Sequence, residues 1–341
     1  MSAPHRLLLD GAALVANWRA LAQMSGRAAC GAAVKADGYG LGARDVVRRL
    51  AAAGCRDFFV ATWAEALAIA DLAPAVSVLH GVRAEDMAVV GPANVRPVLN
   101  TPAQVARWRE AGGGACDVMV DTGMNRLGLS PEEAVALTAG LHVETLMSHL
   151  ACADEDHAMN ATQRGALAAL GGRTGARLSL ANSAGIALGA GYAFDLTRPG
   201  LALYGGVPRA ELAEVIRPVV RIEAQVLQRR RVPAGAIVGY NAAWTAARDT
   251  EVAIVNLGYA DGYRRAFAGV GEAWAGDHRL PVIGRVSMDL VAIELTAAPA
   301  TAEGGWVHIS FDLPDASRRS NVSQYELLTG LGDRLGRLWR T

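Results

Sequence analysis

From Arg27 onward, short apolar runs alternate with amphipathic stretches, and this alternation predicts strands and helices in turn. The apolar runs are RAACGAAVK ending at Lys35, DFFVAT at Thr62, AVSVLHG at Gly81 and VRPVLN at Asn100, then CDVMVDT at Thr122, VETLMSHL at Leu150, RLSLANS at Ser183 and DLTRPG at Gly200. Helix starts are marked by Thr101-Pro102, an N-cap followed by proline, and by Ser130-Pro131-Glu132-Glu133, which adds a capping-box glutamate. The count is about eight strand-then-helix units, the number that closes a (β/α)8 barrel of the TIM type.

The pattern changes at Pro218. VVRIEAQVLQ, AIVGYN, TEVAIVNLGYA, LPVIGRVSMDLVAIEL and GWVHIS alternate apolar and polar residues with a period of two between Gly, Pro and Asp turns. The expected fold class is therefore α/β, with an N-terminal barrel over residues 10–217 and a C-terminal antiparallel β domain over 218–341. HRLLLD, within residues 1–9 and their edge, is a candidate extra strand of that second domain.

Composition narrows the class. The chain is 52% hydrophobic but 6% aromatic, so Ala, Val and Leu must supply the core of a helix-and-parallel-strand enzyme. The 33 basic and 33 acidic side chains balance without a Lys/Arg block, which argues against a nucleic-acid surface. No uncharged apolar run reaches the ~18–20 residues of a membrane helix. His5, Arg6 and Asp10 break the amino-terminal segment before a signal-peptide core forms, so the expected location is cytoplasmic. Cys30, Cys55, Cys116 and Cys152 are too scattered for a disulfide framework or a zinc site and are expected as buried small hydrophobes.

In a barrel, chemistry gathers at the carboxyl ends of the strands, where Lys35, Asp121, Arg126, His149, Asn182, Ser183 and Arg198 fall. Lys35 ends an Ala/Val strand. There it is either a desolvated amine able to form an imine or a lysine that snorkels to water. Ser183, Gly200 and Leu201 lie where barrels often hold a phosphate, although Asn182-Ser183 is also an N-cap pattern and Pro199-Gly200 a turn pattern. Arg126 suits a carboxylate or phenolate oxygen, or a surface loop. His149 reads as a lone core histidine; a metal site with Asp154, Glu155, Asp156 or His157 is disfavoured because ADEDH reads as a solvated helix start. In the second domain Tyr240 and Tyr259 sit among glycines, and Met288-Asp289 marks a strand turn. Neither a P-loop nor a dinucleotide fingerprint occurs.

AVKADGYGLG, DTGMNRLG, SHLACAD, NSAG, TRPGLALYGG, VGYNAAW, GYADGY, GRVSMD and YELLTGLG occur together and in order, from the first strand to the carboxyl terminus. The series resembles the alanine racemase family. The resemblance implies pyridoxal 5′-phosphate as cofactor, no metal, and interconversion of L- and D-alanine, the D-isomer serving peptidoglycan. It implies that Lys35 holds the cofactor and is one base, and that Tyr240 is the opposite base, supplied by a second subunit of a homodimer with shared sites. Arg198 would face the pyridine nitrogen, with His149 between Arg198 and Tyr240. Tyr39, Asn182, Ser183, Gly200 and Leu201 would hold the phosphate end. Arg126 would meet the phenolic oxygen and the substrate carboxylate, the Met288 N–H that carboxylate too, and Tyr259 would line the pocket.

Two residues depart from the family pattern. Met119 stands where many members carry a lysine, sometimes carbamylated, leading to the arginine of the DTGM motif; Asp333 stands near a position where some members bring a tyrosine to the phosphate. Three other readings are weighed against the first. A broad-specificity amino-acid racemase shares the fold. A non-catalytic pyridoxal-phosphate carrier resembles the barrel alone, against which the complete β domain argues. A decarboxylase would want an acidic residue, not Arg198, at the pyridine nitrogen.

Overall fold

The apolar runs of the first two-thirds become eight short parallel strands. Ala32–Ala33, Asp57–Val60, Ala75–Val78, Val95–Leu99, Cys116–Met119, Val143–Met147 and Arg177–Ser179 form a seven-stranded parallel sheet in chain order. Leu196–Thr197 adds the eighth: it pairs in parallel with Ala29–Cys30 at the head of the first strand, and Asp195 N–H donates to Leu178 O on its other side. The ring therefore closes. The computed structural model describes residues 3–340, and the chain divides into two units, one of Leu14–Arg217 and the other of the segment up to Ala13 with the segment from Pro218.

The helices of the barrel unit start where the caps stand. Thr62, Thr101 and Ser130 each accept the N3 backbone N–H, with Glu65 and Glu133 closing capping boxes; such caps are worth about 1 kcal/mol apiece. Between helices and strands lie Val82, Leu99, Val118, Leu146, Leu178 and Leu180, all buried. The strands end sooner than the apolar runs, so most of the polar residues at the runs' ends stand on the βα loops.

Toward the amino-terminal end of the strands, the barrel interior carries a layer of charge. Arg177 reaches Asp57 at 2.8 Å, Arg96 Nε donates to Asp117 at 2.9 Å, and the Ser77 hydroxyl donates to Asp117 at 2.6 Å. Burial pushes the Asp117 carboxyl above its usual range, with Arg96 and Ser77 opposing.

In the other unit, Val220–Val232 is long enough to serve two partners. Its first half pairs with Trp306–Ile309 and its second half with Thr250–Asn256, the register shifting between Val226 and Gln228. That bulge lets the antiparallel series through Leu290–Glu294, His278–Ile283 and Glu272–Ala275 close on itself. His5–Asp10 pairs antiparallel with the long strand and parallel with Gly336–Arg340. The all-β expectation for this region misses Leu313–Ser320 and Gln324–Thr329, both helices. Their signals were Asp312 ahead of Leu313-Pro314 and the capping box Ser323 to Glu326.

All four cysteines are free; Cys30, Cys55 and Cys116 are buried, whereas Cys152 is only half-buried. Among the described residues no helix is long and apolar enough to cross a membrane.

Candidate functional site

The loop after the first strand sets the site. Val34 N–H is tied to Phe59 O at 2.8 Å, and the chain after Lys35 then enters a left-handed turn, with φ of 52° at Ala36 and Asp37, 64° at Gly38 and 56° at Tyr39. A left-handed turn costs an L-residue about 1–2 kcal/mol at each position, and only Gly38 escapes that cost. Gly38 N–H to Val34 O and Gly40 N–H to Ala36 O bond the turn internally, and Glu65 Oε1 accepts Ala36 N–H at 2.7 Å. Strain of this kind, held from several sides, presents Lys35 at the barrel mouth.

Four basic side chains, three of them cationic, meet there. Burial lowers the Lys35 amine, Arg126 lowers it further, and Glu65 opposes. The half-buried His149 imidazole is pushed down to about 3, first by burial and then by Arg198, Arg126 and Lys35. Arg198 is buried; its guanidinium donates to Ser179 Oγ and, at 2.6 Å, to Ser148 O. Burial pulls it down to about 10, so it remains a protonated donor at neutral pH. Arg126 is exposed and has no acceptor among the described residues. Asp121 shapes its loop by accepting Gly123 N–H at 2.9 Å and Asn125 N–H at 3.1 Å, while Met119, buried, offers Arg126 no charge.

A second group gathers around Ser183. Its hydroxyl oxygen accepts Gly200 N–H at 3.0 Å and Ala202 N–H at 3.1 Å. Gly200 therefore spends its N–H inside the protein; what it offers is space, since a Cβ there would collide with the Tyr39 hydroxyl. The Leu201 N–H has no acceptor among the described residues. Tyr39 stacks on Tyr204 with centroids 4.7 Å apart. Asn182 serves as an N-cap, its side chain accepting Gly185 N–H at 2.8 Å.

Tyr240, Tyr259 and Met288 belong to the other unit, where with Asn241, Arg265 and Arg285 they line a hollow of about 280 Å³. Tyr240 is 66% exposed and Met288 54%. The Met288 turn packs against the Tyr259 turn: Tyr259 N–H donates to Ser287 O and Ala260 N–H to Met288 O, both at 3.0 Å. Met288 N–H has no acceptor among the described residues. Asp333 points fully to solvent. The ADEDH run is largely exposed ahead of the helix Ala158–Ala168, and no group of three metal-ligating side chains comes together among the described residues.

Several supporting residues escape sequence reading. Gln163 ties Ala151 N–H, His149 O and Thr122 Oγ1 together, and Thr122 bonds Ser148 at 2.7 Å. Thr122 and Ser148 are signalled only by their position near strand ends, and Gln163, inside the helix Ala158–Ala168, by nothing. Glu65 carried a stronger one, the capping box of Thr62-Trp63-Ala64-Glu65.

A closed (β/α)8 ring with a lysine, an arginine and a serine cradle at its mouth, joined to a closed β unit, defines a two-domain barrel enzyme. Family models for the alanine racemase N-terminal domain and C-terminal domain match residues 9–208 and 219–339, and the chain belongs to the alanine racemase family, a family of isomerases. It is 42% identical to an alanine racemase of Acidiphilium cryptum, with 97% of this chain and 98% of the relative covered. It is 41% identical to a catabolic alanine racemase of Agrobacterium fabrum, covering 98% of this chain and 92% of that one. Among solved structures, the alanine racemase of Bartonella henselae, which carries covalently bound pyridoxal phosphate, superposes with a TM-score of 0.91 at 33% identity over 99% of this chain and 100% of that one.

Proposed function

We propose that the protein racemises alanine with pyridoxal 5′-phosphate by a two-base mechanism, supplying D-alanine for peptidoglycan. The observation that carries the reading is the cluster of Lys35, Arg126, His149 and Arg198 beside the Ser183 cradle, a cation-rich mouth whose members depress one another and which an anionic, aldehyde-bearing ligand would satisfy. The residues fit that cofactor. Lys35, half-buried with a lowered amine, is suited to hold the aldehyde carbon; the Ser183 hydroxyl, the Tyr39 hydroxyl and the Leu201 N–H suit a phosphate, with Asn182 and Gly200 shaping the cradle.

Bound pyridoxal phosphate supplies an electron-withdrawing ring that stabilises negative charge at the amino-acid Cα. The chain's residues do the rest. Arg198 would meet the ring nitrogen as a donor that does not surrender its proton, which would keep the electron sink weak and favour reprotonation at Cα over side reactions. Lys35 and Tyr240 would act from opposite faces, the Lys35 amine taking the proton while the Tyr240 hydroxyl returns one, or in the other direction the Tyr240 phenolate taking it while the Lys35 ammonium returns one, as inversion at carbon requires. Neutral His149 accepts at one ring nitrogen and donates at the other, linking Arg198 to Tyr240. Arg126 and the Met288 N–H hold the carboxylate, and Tyr259 limits the side chain.

In this reading the protein is a homodimer, and Tyr240, Tyr259 and Met288 complete the barrel mouth of the other subunit. The exposure of Tyr240 and Met288 supports it: a catalytic tyrosine left on an open surface needs something to face. The test is the circular dichroism of L-alanine followed with purified protein. Decay of the signal to zero for the native chain, and none for Lys35→Ala, is the expected result. Full activity in Lys35→Ala, or a steady signal with the native protein, overturns the assignment.

A further inference from the structure

A capping-box glutamate ordinarily closes on its own helix start. Glu65 does so with one oxygen only: Oε2 accepts Ala61 N–H at 2.7 Å and Thr62 N–H at 3.2 Å, while Thr62 Oγ1 accepts Glu65 N–H at 3.3 Å. Its other oxygen leaves the helix and accepts the N–H of Ala36, the residue after Lys35 and the first of the left-handed run. The far end of that run is pinned separately, by Asp37 Oδ1 accepting Ala43 N–H at 2.8 Å and Asp37 O accepting Gly42 N–H at 2.9 Å. Lys35 is thus suspended between a strand end fixed by Phe59 and a strained turn whose first N–H is held by a carboxylate.

We propose that Glu65 is a positioning residue for Lys35, its carboxylate holding the Ala36 N–H so that the left-handed turn aims the amine at the cofactor carbon. The inference rests on the reading that Lys35 carries pyridoxal phosphate. Released from Glu65, Ala36 relaxes toward negative φ, as an L-residue does without a restraint, and the backbone rotation swings Lys35 away. Glutamine cannot replace the carboxylate, because three N–H donors face its two oxygens and an amide nitrogen would confront one of them. The Glu65 charge also opposes the lowering of the Lys35 amine by burial and Arg126.

Apoprotein of the native chain, Glu65→Gln and Thr62→Ala is titrated with pyridoxal phosphate. Loading is read by the absorbance of bound cofactor and by the mass of the borohydride-reduced Lys35 peptide. Thr62→Ala weakens the same helix start but leaves Ala36 held, so it controls for lost stability. The expected result is about tenfold weaker loading in Glu65→Gln, native loading in Thr62→Ala, and a similar fall in melting temperature in both. Adding Ala36→Gly to Glu65→Gln recovers most of the loss, because glycine takes positive φ without a Cβ penalty. Loading of Glu65→Gln within about twofold of Thr62→Ala, or no recovery with Ala36→Gly, overturns the inference while native labelling at Lys35 upholds the cofactor reading. Absence of the Lys35 adduct in the native protein overturns both.

Discussion

The barrel mouth and the turns of the β unit hold their candidate site residues in opposite ways. At the barrel mouth Arg198 is 7% exposed and clasped by Ser179 and Ser148, which is in turn bonded to Thr122 and through it to Gln163. In the β unit Tyr240 stands on a turn with positive φ at Gly239, Asn241 and Ala242, its ring in solvent. A buried cation needs fixed acceptors, because an unpaired charge in the interior is costly. An exposed hydroxyl needs none. The barrel therefore holds its candidate residue Arg198 in a buried hydrogen-bond network, whereas the β unit leaves Tyr240 and Met288 on exposed turns, where their removal should cost the fold little.

The comparison is broken most sharply at Tyr240. Tyr240→Phe is expected to lower turnover about 10²–10⁴-fold, more for proton removal from L-alanine than from D-alanine, with unfolding free energy unchanged within about 0.5 kcal/mol. Racemisation in each direction by circular dichroism, paired with urea unfolding, measures both. A loss of only a few-fold in both directions removes the two-base reading.

Arg96 tests the opposite region. Its guanidinium is the partner of Asp117, whose side chain is fully buried, and Arg96→Met leaves that carboxylate uncompensated. The expected cost is about 3–5 kcal/mol of unfolding free energy. Part returns on acidification: burial already raises the Asp117 pKa, removing Arg96 raises it further, and a protonated carboxyl no longer needs a partner. Urea unfolding of native and variant protein at neutral and acidic pH decides. Equal losses at both pH values would show that Asp117 stays paired without Arg96.

The two regions also differed in how much of them could be read from sequence. The barrel was legible because each strand is a local apolar run and each helix start carries its own cap, as at Thr101 and Ser130. Lys35, Arg198 and Ser183 could be singled out because strand ends are where barrels expose polar groups. The charge layer of Asp57, Arg96, Asp117 and Arg177 was invisible, since it joins strands far apart in the chain. So was the left-handed turn: the sequence around Ala36, Asp37 and Tyr39 does not announce positive φ, which Glu65, the Asp37 side chain and the neighbouring backbone hold. In the β unit, period-two alternation located the strands, yet closure depends on a bulge at Val226–Gln228 that alternation does not announce. Individual roles came from the ordered motifs rather than from pattern.

The smallest effect distinguishes the charges that hold the two regions. Where the barrel uses arginines, the β unit pins its Tyr259 turn with a histidine. His5 Nδ1 faces Asn256 Oδ1 at 2.8 Å and its Nε2 lies 3.4 Å from Asp261, which also accepts Gly258 N–H and Arg334, itself joined to Asp289. Both ring nitrogens face acceptors, the arrangement an imidazolium wants. The Asp261 carboxylate raises the His5 pKa above its usual 6.5, outweighing burial and Arg334, with Asn256 adding to the rise. Asp261 moves the other way: burial alone would raise it, but His5, Gly258 and Arg334 hold it low. A histidine raised in the folded state binds its proton more tightly there than in the unfolded chain. Its contribution is therefore complete below about pH 6.5 and fades as pH climbs through the folded value. The difference in melting temperature between native protein and His5→Gln should narrow from mildly acidic to mildly alkaline pH. The gap between native protein and Arg96→Met should not narrow over that range, since an arginine keeps its proton throughout. A His5→Gln gap that stays constant with pH would mean that the Tyr259 turn is held by hydrogen bonds to a neutral ring.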